Sequence, residues 1–353
     1  MPPVTFYPGP SKVYPQVASY LQDAYQEGVL SINHRSAACM DIVKATQKLM
    51  RQKLDVPADY TVLFVSSATE SWEIISQSLV REQSYHLYNG AFGKKWLEYA
   101  QKLRLLSFGG TFDLNTPLDA RMVEIPAGTE VLCLTQNETS NGTQVPIEVI
   151  AALQSDRYLT AVDATSSLGG IALDFTKADL WLASVQKCLG LPAGLGLLIC
   201  SPRALQRSWE IKENKHYNSL LFIYENMQQF QTQYTPNVLG IYLLMRVLQH
   251  VSPISEMDAR LRKQAADWYQ LFDSDASPFR PLAQKPEVRS DTVITLAAEP
   301  DLLRRIKSQA AQVGIQLGNG YGPWKESTFR IANFPALDAQ EISTLKHFLV
   351  LNA

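Results

Sequence analysis

Short apolar runs alternate with stretches of helical periodicity between about residues 60 and 200. The runs are rich in β-branched and aromatic residues, which is typical of strands covered by helices on both faces of a mostly parallel sheet. The expected strands are 61–65, 85–88, 130–135, 158–162, 180–185 and 194–200, and the expected helices between them are 70–80, 94–102 and 147–153. The pattern therefore predicts an α/β fold.

The pattern of elements changes after Pro236. The expected helices there are 238–250, 254–272, 300–313 and 338–350, and the expected strands are 292–296 and 329–332. Such a mixture predicts a smaller α+β domain, and a length of 353 residues exceeds what one hydrophobic core usually organises. We therefore expect an N-terminal arm (1–16) that packs near the small domain, a large domain (17–250) and a small C-terminal domain (251–353).

Composition and charge narrow the classes of function. Hydrophobic residues make up 46% of the chain and charged residues 19%, which is typical of an ordinary globular protein. The 32 basic and 34 acidic residues nearly cancel, and no run of Lys or Arg concentrates positive charge. Because nucleic acids and anionic membrane surfaces are bound through such patches, we expect neither as a partner.

Four cysteines, Cys39, Cys133, Cys188 and Cys200, are widely separated and lack the spacing of a zinc site or a redox pair. Three of them lie in apolar stretches, which predicts buried, reduced thiols. The first residues lack the basic-then-apolar order of a secretory signal, and no apolar run is long enough to span a membrane. We therefore expect a cytoplasmic protein without a metal site.

Lys187 follows a predicted strand and precedes a Gly- and Pro-containing turn in SVQKCLGLPAGLG. In open α/β sheets, ligands bind in the crevice outside the carboxyl ends of the strands, so this amine is expected to face a crevice. A lysine amine that is partly deprotonated can form an imine with an aldehyde cofactor. A surface lysine at a turn fits the local pattern equally well.

Asp163 comes directly after another predicted strand, in YLTAVDATSSLGG. Its carboxylate is therefore expected at the same edge of the sheet as Lys187. Held against the ring nitrogen of a pyridine cofactor, a carboxylate keeps that nitrogen protonated and lets the ring accept electrons from a substrate. Taken alone, Asp163 also fits a helix N-cap after a strand.

Ser66 to Thr69 lie between a predicted strand and a predicted helix, where free N–H groups and the helix dipole favour an anion such as a cofactor phosphate. Ser and Thr are also the usual N-cap residues, so the segment fits a plain helix start as well. Phe92, in YNGAFGKKW, follows another strand and is placed to stack on a pyridine ring. A core aromatic residue is the alternative.

Taken together, these segments resemble the class V aminotransferases, and most closely the phosphoserine aminotransferases, over nearly the whole chain. FYPGPSKVYP is similar to that family's Asn-Phe-x-Pro-Gly-Pro signature, and SINHRS to its Ser-His-Arg-Ser segment. LTQNETSNG resembles its Ser-Asn-Glu-Thr stretch, YTPNVLGIYLL its Asn-Thr-Pro-Pro-Thr-Phe segment, and TFRIANF its Met-Arg-Ala-Ser-Ile-Tyr-Asn segment. Several motifs in the same order are more specific than any one of them.

The resemblance implies a fold type I transferase that depends on pyridoxal 5'-phosphate, with the cofactor held by the large domain. Lys187 would be the Schiff-base lysine and general acid/base, and Asp163 the partner of the pyridine nitrogen. The remaining cofactor contacts that it implies are Gln186 and Thr139 as polar partners, Ala68 and Thr69 at the phosphate, and Phe92 in the stacking place that the family usually gives to Trp.

The resemblance also implies a homodimer with shared active sites. Thr235 matches a residue that reaches the cofactor phosphate of the neighbouring subunit, with Tyr234 where the family has Asn. His34 and Arg35 match a pair that helps to bind the substrate phosphate from the partner subunit. Arg330 matches the arginine that binds the substrate α-carboxylate through its planar fork, although a surface arginine on a strand fits its local pattern too.

One segment departs from the family. Before Arg330 the family often carries Gly-His-Arg for the substrate phosphate, whereas this chain reads GNGYGPWKESTFR, in which Lys325 is a possible substitute. The expected function is a ping-pong aminotransferase that moves an amino group between a phosphoserine-like amino acid and a 2-oxo acid, as in serine biosynthesis.

Three alternatives stay open. The departure favours an alanine– or serine–glyoxylate (or pyruvate) aminotransferase as the second choice, followed by a lyase or desulfurase of the same superfamily. A catalytically silent family member that serves as a binding protein also fits. A nicotinamide-dependent oxidoreductase is disfavoured, because no G-x-G-x-x-G lies between a strand and a helix.

Overall fold

The computed structural model describes residues 3–103, 106–274 and 277–352. Its strands are β1 Val4–Phe6, β2 Thr61–Val65, β3 Gln83–Tyr88, β4 Leu106–Thr111, β5 Val131–Thr135, β6 Asn137–Glu138, β7 Thr143–Gln144, β8 Leu159–Asp163, β9 Leu180–Ser184, β10 Gly196–Cys200, β11 Arg280–Pro281, β12 Val293–Ala297, β13 Ile315–Asn319 and β14 Thr328–Ala332. Its helices are α1 Val17–Gln26, α2 Ala37–Leu54, α3 Ala68–Leu79, α4 Ala91–Lys102, α5 Ile147–Ala152, α6 Pro202–Ile211, α7 Leu220–Met227, α8 Val238–His250, α9 Ile254–Phe272, α10 Pro300–Gln312 and α11 Ala339–Asn352.

The larger sheet has seven strands in the order β2-β10-β9-β8-β5-β3-β4. All neighbouring pairs are parallel except the two that β10 makes with β2 and β9. Every residue of β5, β8, β9 and β10 is buried, which explains why these segments are almost continuously apolar. The predicted α/β class is confirmed.

The strand directions bring several chain segments to one edge of this sheet. β5, β8 and β9 run parallel, so their last residues, Thr135, Asp163 and Ser184, lie at the same edge. β10 is antiparallel, and its first residue, Gly196, pairs with Ser184 and with Val65 at the end of β2. The loops that follow β2, β8 and β9 therefore meet there.

The smaller sheet has five strands in the order β1-β13-β14-β12-β11. β1 belongs to the N-terminal arm and pairs in parallel with β13, with Val4 opposite Ile315. The other pairs are antiparallel. Because β1 is hydrogen-bonded to this sheet, the arm is tied to the C-terminal part of the chain.

The long helix α9 contributes to two hydrophobic cores. Ile254 and Leu261 pack into the core around the large sheet, whereas Trp268 and Phe272 pack into the core around the small sheet. The expected boundary between residues 250 and 251 precedes this helix and stays a prediction. Across the described parts of the chain, no single helix is long and apolar enough to cross a membrane, and α8 and α9, bent by 81°, pass that test of length and composition only as a pair.

Candidate active site

A cavity of about 210 Å³ lies at the edge of the large sheet where these loops meet. The lining residues that the sequence analysis singled out are Ala68, Thr69, Phe92, Thr139, Asp163, Gln186, Lys187 and Arg330. The structure therefore brings eight of the twelve expected site residues to one place. The other four, His34, Arg35, Tyr234 and Thr235, lie elsewhere on this chain: Tyr234 and Thr235 line a separate surface pocket, and Arg35 is exposed.

Lys187 follows β9 by three residues, and only 7% of its surface is exposed. Its Nζ donates hydrogen bonds to Thr139 Oγ1 at 2.7 Å and to Ser166 Oγ at 2.9 Å. The N-terminal arm covers its stem: Gly9 has a φ of 126°, and a Cβ there would lie 2.9 Å from Lys187 Cε. Glycine at this position tolerates both the backbone conformation and the close approach.

Burial lowers the pKa of Lys187 to about 8. The negative charge of Asp163 opposes this shift, and the positive charge of Arg330 adds to it. A substantial fraction of the amine is therefore neutral near physiological pH, which is the state required of a nucleophile or a base.

Asp163 ends β8, and its carboxylate is buried. Its Oδ1 accepts a hydrogen bond from the backbone N–H of Thr165 at 2.9 Å, and its Oδ2 accepts one from Trp72 Nε1 at 3.1 Å. Burial raises the pKa of Asp163, while these donors and the nearby Lys187 oppose the rise. The carboxylate is thus held by donors at both oxygens, next to the cavity.

The start of α3 forms another wall of the cavity. Ser67 is the N-cap and its Oγ accepts from Glu70 N at 3.1 Å, while Glu70 Oε2 accepts from Ser66 N at 2.6 Å, an arrangement close to a capping box. Gly196 permits this loop to approach β10, because a Cβ there would lie 2.5 Å from the Ser67 carbonyl carbon. The N–H of Ala68 was expected to contact a phosphate. In the structure it donates to Oγ of Ser184, the last residue of β9, at 2.8 Å.

Aromatic rings close the cavity on the side of α4. Phe92 stacks on Tyr321 with 5.1 Å between ring centroids and 20° between ring planes, and Lys187 Nζ lies 5.2 Å from the Phe92 centroid. The buried carboxylate of Glu138 fixes the start of this helix, since its Oε2 accepts from the N–H groups of Phe92 and Gly93 at 3.1 and 3.2 Å.

Arg330 lies on β14, is buried, and reaches the cavity from the small sheet. Its Nε donates to the carbonyl of Asn319 at 2.6 Å, and its Nη1 donates to the carbonyl of Thr139 at 2.9 Å. Burial lowers its pKa, yet a guanidinium keeps its charge in proteins. Lys325, a possible substitute for the family's phosphate-binding residues, is instead at the surface, with 72% of its side chain exposed and Glu326 at 3.8 Å.

Three residues that sequence reasoning missed complete the site: Trp72, Ser166 and Glu138. Trp72 is four residues after Ala68, so the helical period that places Ala68 at the cavity places Trp72 on the same face. Ser166 belongs to the hydroxyl-rich segment after Asp163, and Glu138 to the LTQNETSNG motif. The positions of these three residues near predicted site residues could have indicated them, but their contacts depend on the tertiary structure.

Comparisons with known proteins agree with this geometry. The family described as class-V aminotransferases matches residues 6–320. The chain is 28% identical to a phosphoserine aminotransferase of Rhodococcus opacus, with 96% of this chain and 91% of that protein covered.

Solved structures give the same result. The crystal structure of a phosphoserine aminotransferase from Cytophaga hutchinsonii has a TM-score of 0.93 at 32% identity, covering 99% of this chain and 98% of that one. An alanine–glyoxylate aminotransferase from Nostoc sp. shares the fold, with a TM-score of 0.82 at 18% identity over 100% of this chain and 95% of that one. The chain belongs to the class-V aminotransferases.

Proposed function

We propose that this aminotransferase moves an amino group between a phosphoserine-like amino acid and a 2-oxo acid in a ping-pong order, with pyridoxal phosphate as its cofactor. The observation that carries the proposal is the composition of one cavity. An amine with a lowered pKa (Lys187), a buried carboxylate (Asp163) and a buried guanidinium (Arg330) all line it. Perturbed ionisable groups that converge on one cavity are typical of catalytic sites.

The residues present fit pyridoxal phosphate. Besides the amine and the carboxylate, the cavity lining includes Thr135, whose hydroxyl oxygen is buried and has no hydrogen-bond partner within the described ranges. Buried polar atoms without partners are uncommon and point to a ligand that satisfies them. The start of α3 adds the partial positive charge of a helix N-terminus, which suits a phosphate.

When bound, pyridoxal phosphate supplies an aldehyde that bonds an amine and a ring that accepts the electron pair left when the substrate Cα proton leaves. Lys187 would hold the aldehyde end and Asp163 the ring nitrogen. Thr69 would face the phosphate, while Thr139 and Gln186 would make polar contacts and Phe92 would stack.

We propose that Lys187 also transfers the proton at the substrate Cα. Its amine must be neutral to accept that proton, and burial makes the neutral form accessible. Thr139 Oγ1 and Ser166 Oγ, each hydrogen-bonded to Nζ, orient the amine. Arg330 would bind the substrate α-carboxylate and so hold the Cα proton near this amine.

The residues at the other end of the cavity would determine which substrate side chain is bound. Lys95 donates from Nζ to Tyr321 Oη at 3.3 Å and is 5.8 Å from the Phe92 ring centroid, so a cation lies behind the aromatic wall. Within the described ranges, no carboxylate lies within salt-bridge distance of Lys95. This unpaired charge supports a substrate with a second anionic group, such as a phosphate.

A second candidate is an aminotransferase for alanine or serine with glyoxylate or pyruvate. It is favoured by the exposure of Lys325, which does not line the cavity. In this case the site would bind a small uncharged side chain.

We further propose that two copies of the chain form a homodimer with shared active sites. Tyr234 is 49% exposed and lies against Tyr217 and Phe222, which are also exposed, so an aromatic patch faces outward beside Thr235. Contiguous exposed aromatic side chains are typical of protein–protein interfaces. In such a dimer Thr235, His34 and Arg35 would complete the neighbour's cavity.

Mixing two inactive variants tests the shared site. Lys187→Ala removes the amine from its own cavity, and Thr235→Asp would repel the phosphate in the neighbour's cavity. A mixed dimer of the two retains one intact cavity, so activity should return after mixing and subunit exchange. A monomeric mass in sedimentation, or no recovery in a confirmed mixed dimer, would contradict the shared site.

We also propose a cytoplasmic location. The four cysteines are free and buried in the structure, which suits a reducing compartment.

A donor screen tests the proposed substrate. The cofactor-loaded protein is mixed in turn with phosphoserine, serine, alanine and glutamate, and the visible absorption of the cofactor is followed in single turnover. Phosphoserine should bleach the band fastest. If serine or alanine acts and phosphoserine does not, the second candidate replaces the first.

A further inference from the structure

Trp72 lines the cavity but has no role in the proposed function. We infer that Trp72 is a positioning residue: its indole N–H fixes the Asp163 carboxylate and thereby makes the cavity select a cofactor ring that carries a positively charged nitrogen. The inference rests on the proposed function, because it takes pyridoxal phosphate as the ligand.

The hydrogen bond from Trp72 Nε1 to Asp163 Oδ2, 3.1 Å long, joins two different walls of the cavity. Trp72 is on α3, the helix that starts at the cavity, and Asp163 ends β8. Only 3% of Trp72 is exposed, so water does not readily compete for this bond. Since a hydrogen bond to the charged form of a carboxylate favours that form, Trp72 helps to keep Asp163 ionised.

The indole is held in place from behind. Trp72 stacks on Trp96 with 5.9 Å between centroids and 12° between planes, and Trp96 packs edge-on against His86 at 5.6 Å. Burial lowers the pKa of His86 to about 3, so this imidazole is neutral and adds no charge to the stack. Because the indole of Trp72 is closely packed, it keeps one rotamer, and its N–H therefore keeps one direction.

Both oxygens of Asp163 thus have a donor, Trp72 Nε1 on Oδ2 and the Thr165 N–H on Oδ1, and the Thr165 side chain is a further hydrogen-bonding group beside the carboxylate. A carboxylate oxygen can accept more than one hydrogen bond, so each oxygen can still accept a further donor. With its orientation fixed, the carboxylate offers that remaining capacity in one direction only. A protonated ring nitrogen is the cofactor donor that matches it.

The test uses Trp72→Phe and compares two ligands: pyridoxal phosphate and its deaza analogue, in which carbon replaces the ring nitrogen. The phenyl ring keeps most of the packing and removes the N–H. The dissociation constant of each ligand from the apoprotein is measured by equilibrium dialysis, so the readout does not depend on turnover. We expect about tenfold weaker binding of pyridoxal phosphate, as for the loss of a hydrogen bond to a charged group, and almost no change for the deaza analogue.

Trp96→Phe is the matched control. Trp96 is also buried and lies in the same stack, but its Nε1 has no hydrogen-bond partner in the parts of the chain that the structure describes. This variant should change the affinities for both ligands by the same factor. If Trp72→Phe also changes both by the same factor, Trp72 only packs and the inference is wrong.

Two further outcomes separate the inference from the proposed function. If the wild-type protein binds neither ligand, both fail. If it binds pyridoxal phosphate more tightly than the analogue and Trp72→Phe retains that full preference, only the inference fails. Should Trp72→Phe not fold, benzothienylalanine at position 72, in which sulfur replaces the N–H in a ring of almost the same shape, gives the same comparison.

Discussion

The two ends of the cavity are built differently. The end with Lys187 and Asp163 is formed by the carboxyl ends of buried parallel strands, and each of these side chains has two hydrogen-bond partners. The opposite end is formed by Tyr321, in the loop between β13 and β14, and Lys95 of α4 lies behind its ring. The groups proposed to react are thus held by the rigid sheet, whereas a substrate side chain at the other end would face segments that can vary without disturbing the core.

The largest expected effect is that of Lys187→Ala at the rigid end. Without the amine, the protein loses both the bond to the cofactor and the base, so turnover should fall by about 10⁴-fold or more. Single-turnover absorbance with the best donor measures this loss. Lys94→Ala, at a side chain that is 63% exposed, should leave turnover unchanged, and a Lys187→Ala enzyme of near-normal rate would contradict the assignment.

Arg330 lies between the two ends, and Arg330→Lys should have the next largest effect. Lysine keeps the charge but cannot present two parallel N–H groups to a carboxylate, so kcat/KM for every donor should fall by about 10- to 100-fold. Steady-state kinetics with both a phosphorylated and an unphosphorylated donor measure it. A loss confined to one donor would show that Arg330 reads the substrate side chain instead of its α-carboxylate; Lys325→Ala is the control.

The pH dependence of cofactor loading tests the environment of Lys187. Because the pKa of this amine is lowered to about 8, its neutral fraction grows as the pH rises through that value. The rate at which the apoprotein bonds pyridoxal phosphate should therefore increase with pH and level off above about 8. Asp163→Asn removes a charge that raises this pKa, so its midpoint should be lower; a rate that still rises steeply beyond pH 10 would indicate an ordinary exposed lysine.

The smallest effect is expected at the variable end. Lys95→Ala should lower kcat/KM for phosphoserine by a few-fold, as for a partly exposed charge acting on an anion, and leave that for alanine unchanged. The neighbouring Lys94→Ala variant is the matched control. Equal effects of Lys95→Ala on both donors would remove the support that Lys95 gives to an anionic substrate side chain.

The difference between the two ends also explains how much could be predicted from the sequence. Asp163 and Lys187 follow continuous apolar runs, which predict buried parallel strands. Because the carboxyl ends of parallel strands lie at the same edge of a sheet, the two residues could be predicted to meet there. β4 was not predicted, because its LSFGGT sequence has two glycines and lies at an exposed sheet edge. Trp72 was missed as a site residue, since its contact with Asp163 depends on how α3 packs on the sheet.

The homodimer could be predicted from the sequence only through its resemblance to a known family. His34, Arg35 and Thr235 lie away from the cavity of their own chain, and the roles proposed for them would require a second copy. No periodicity or spacing within one chain contains that information. The residues of the rigid end, by contrast, meet within a single chain.

The central claim is that Lys187 is the residue that holds the cofactor, and chemical trapping tests it directly. The protein is loaded with pyridoxal phosphate, reduced with borohydride and digested, and the peptides are identified by mass spectrometry. The account predicts one modified peptide, with the cofactor attached to Lys187, and no modification at that peptide in Lys187→Ala. Attachment to another lysine of the wild-type protein, or to none, would contradict it.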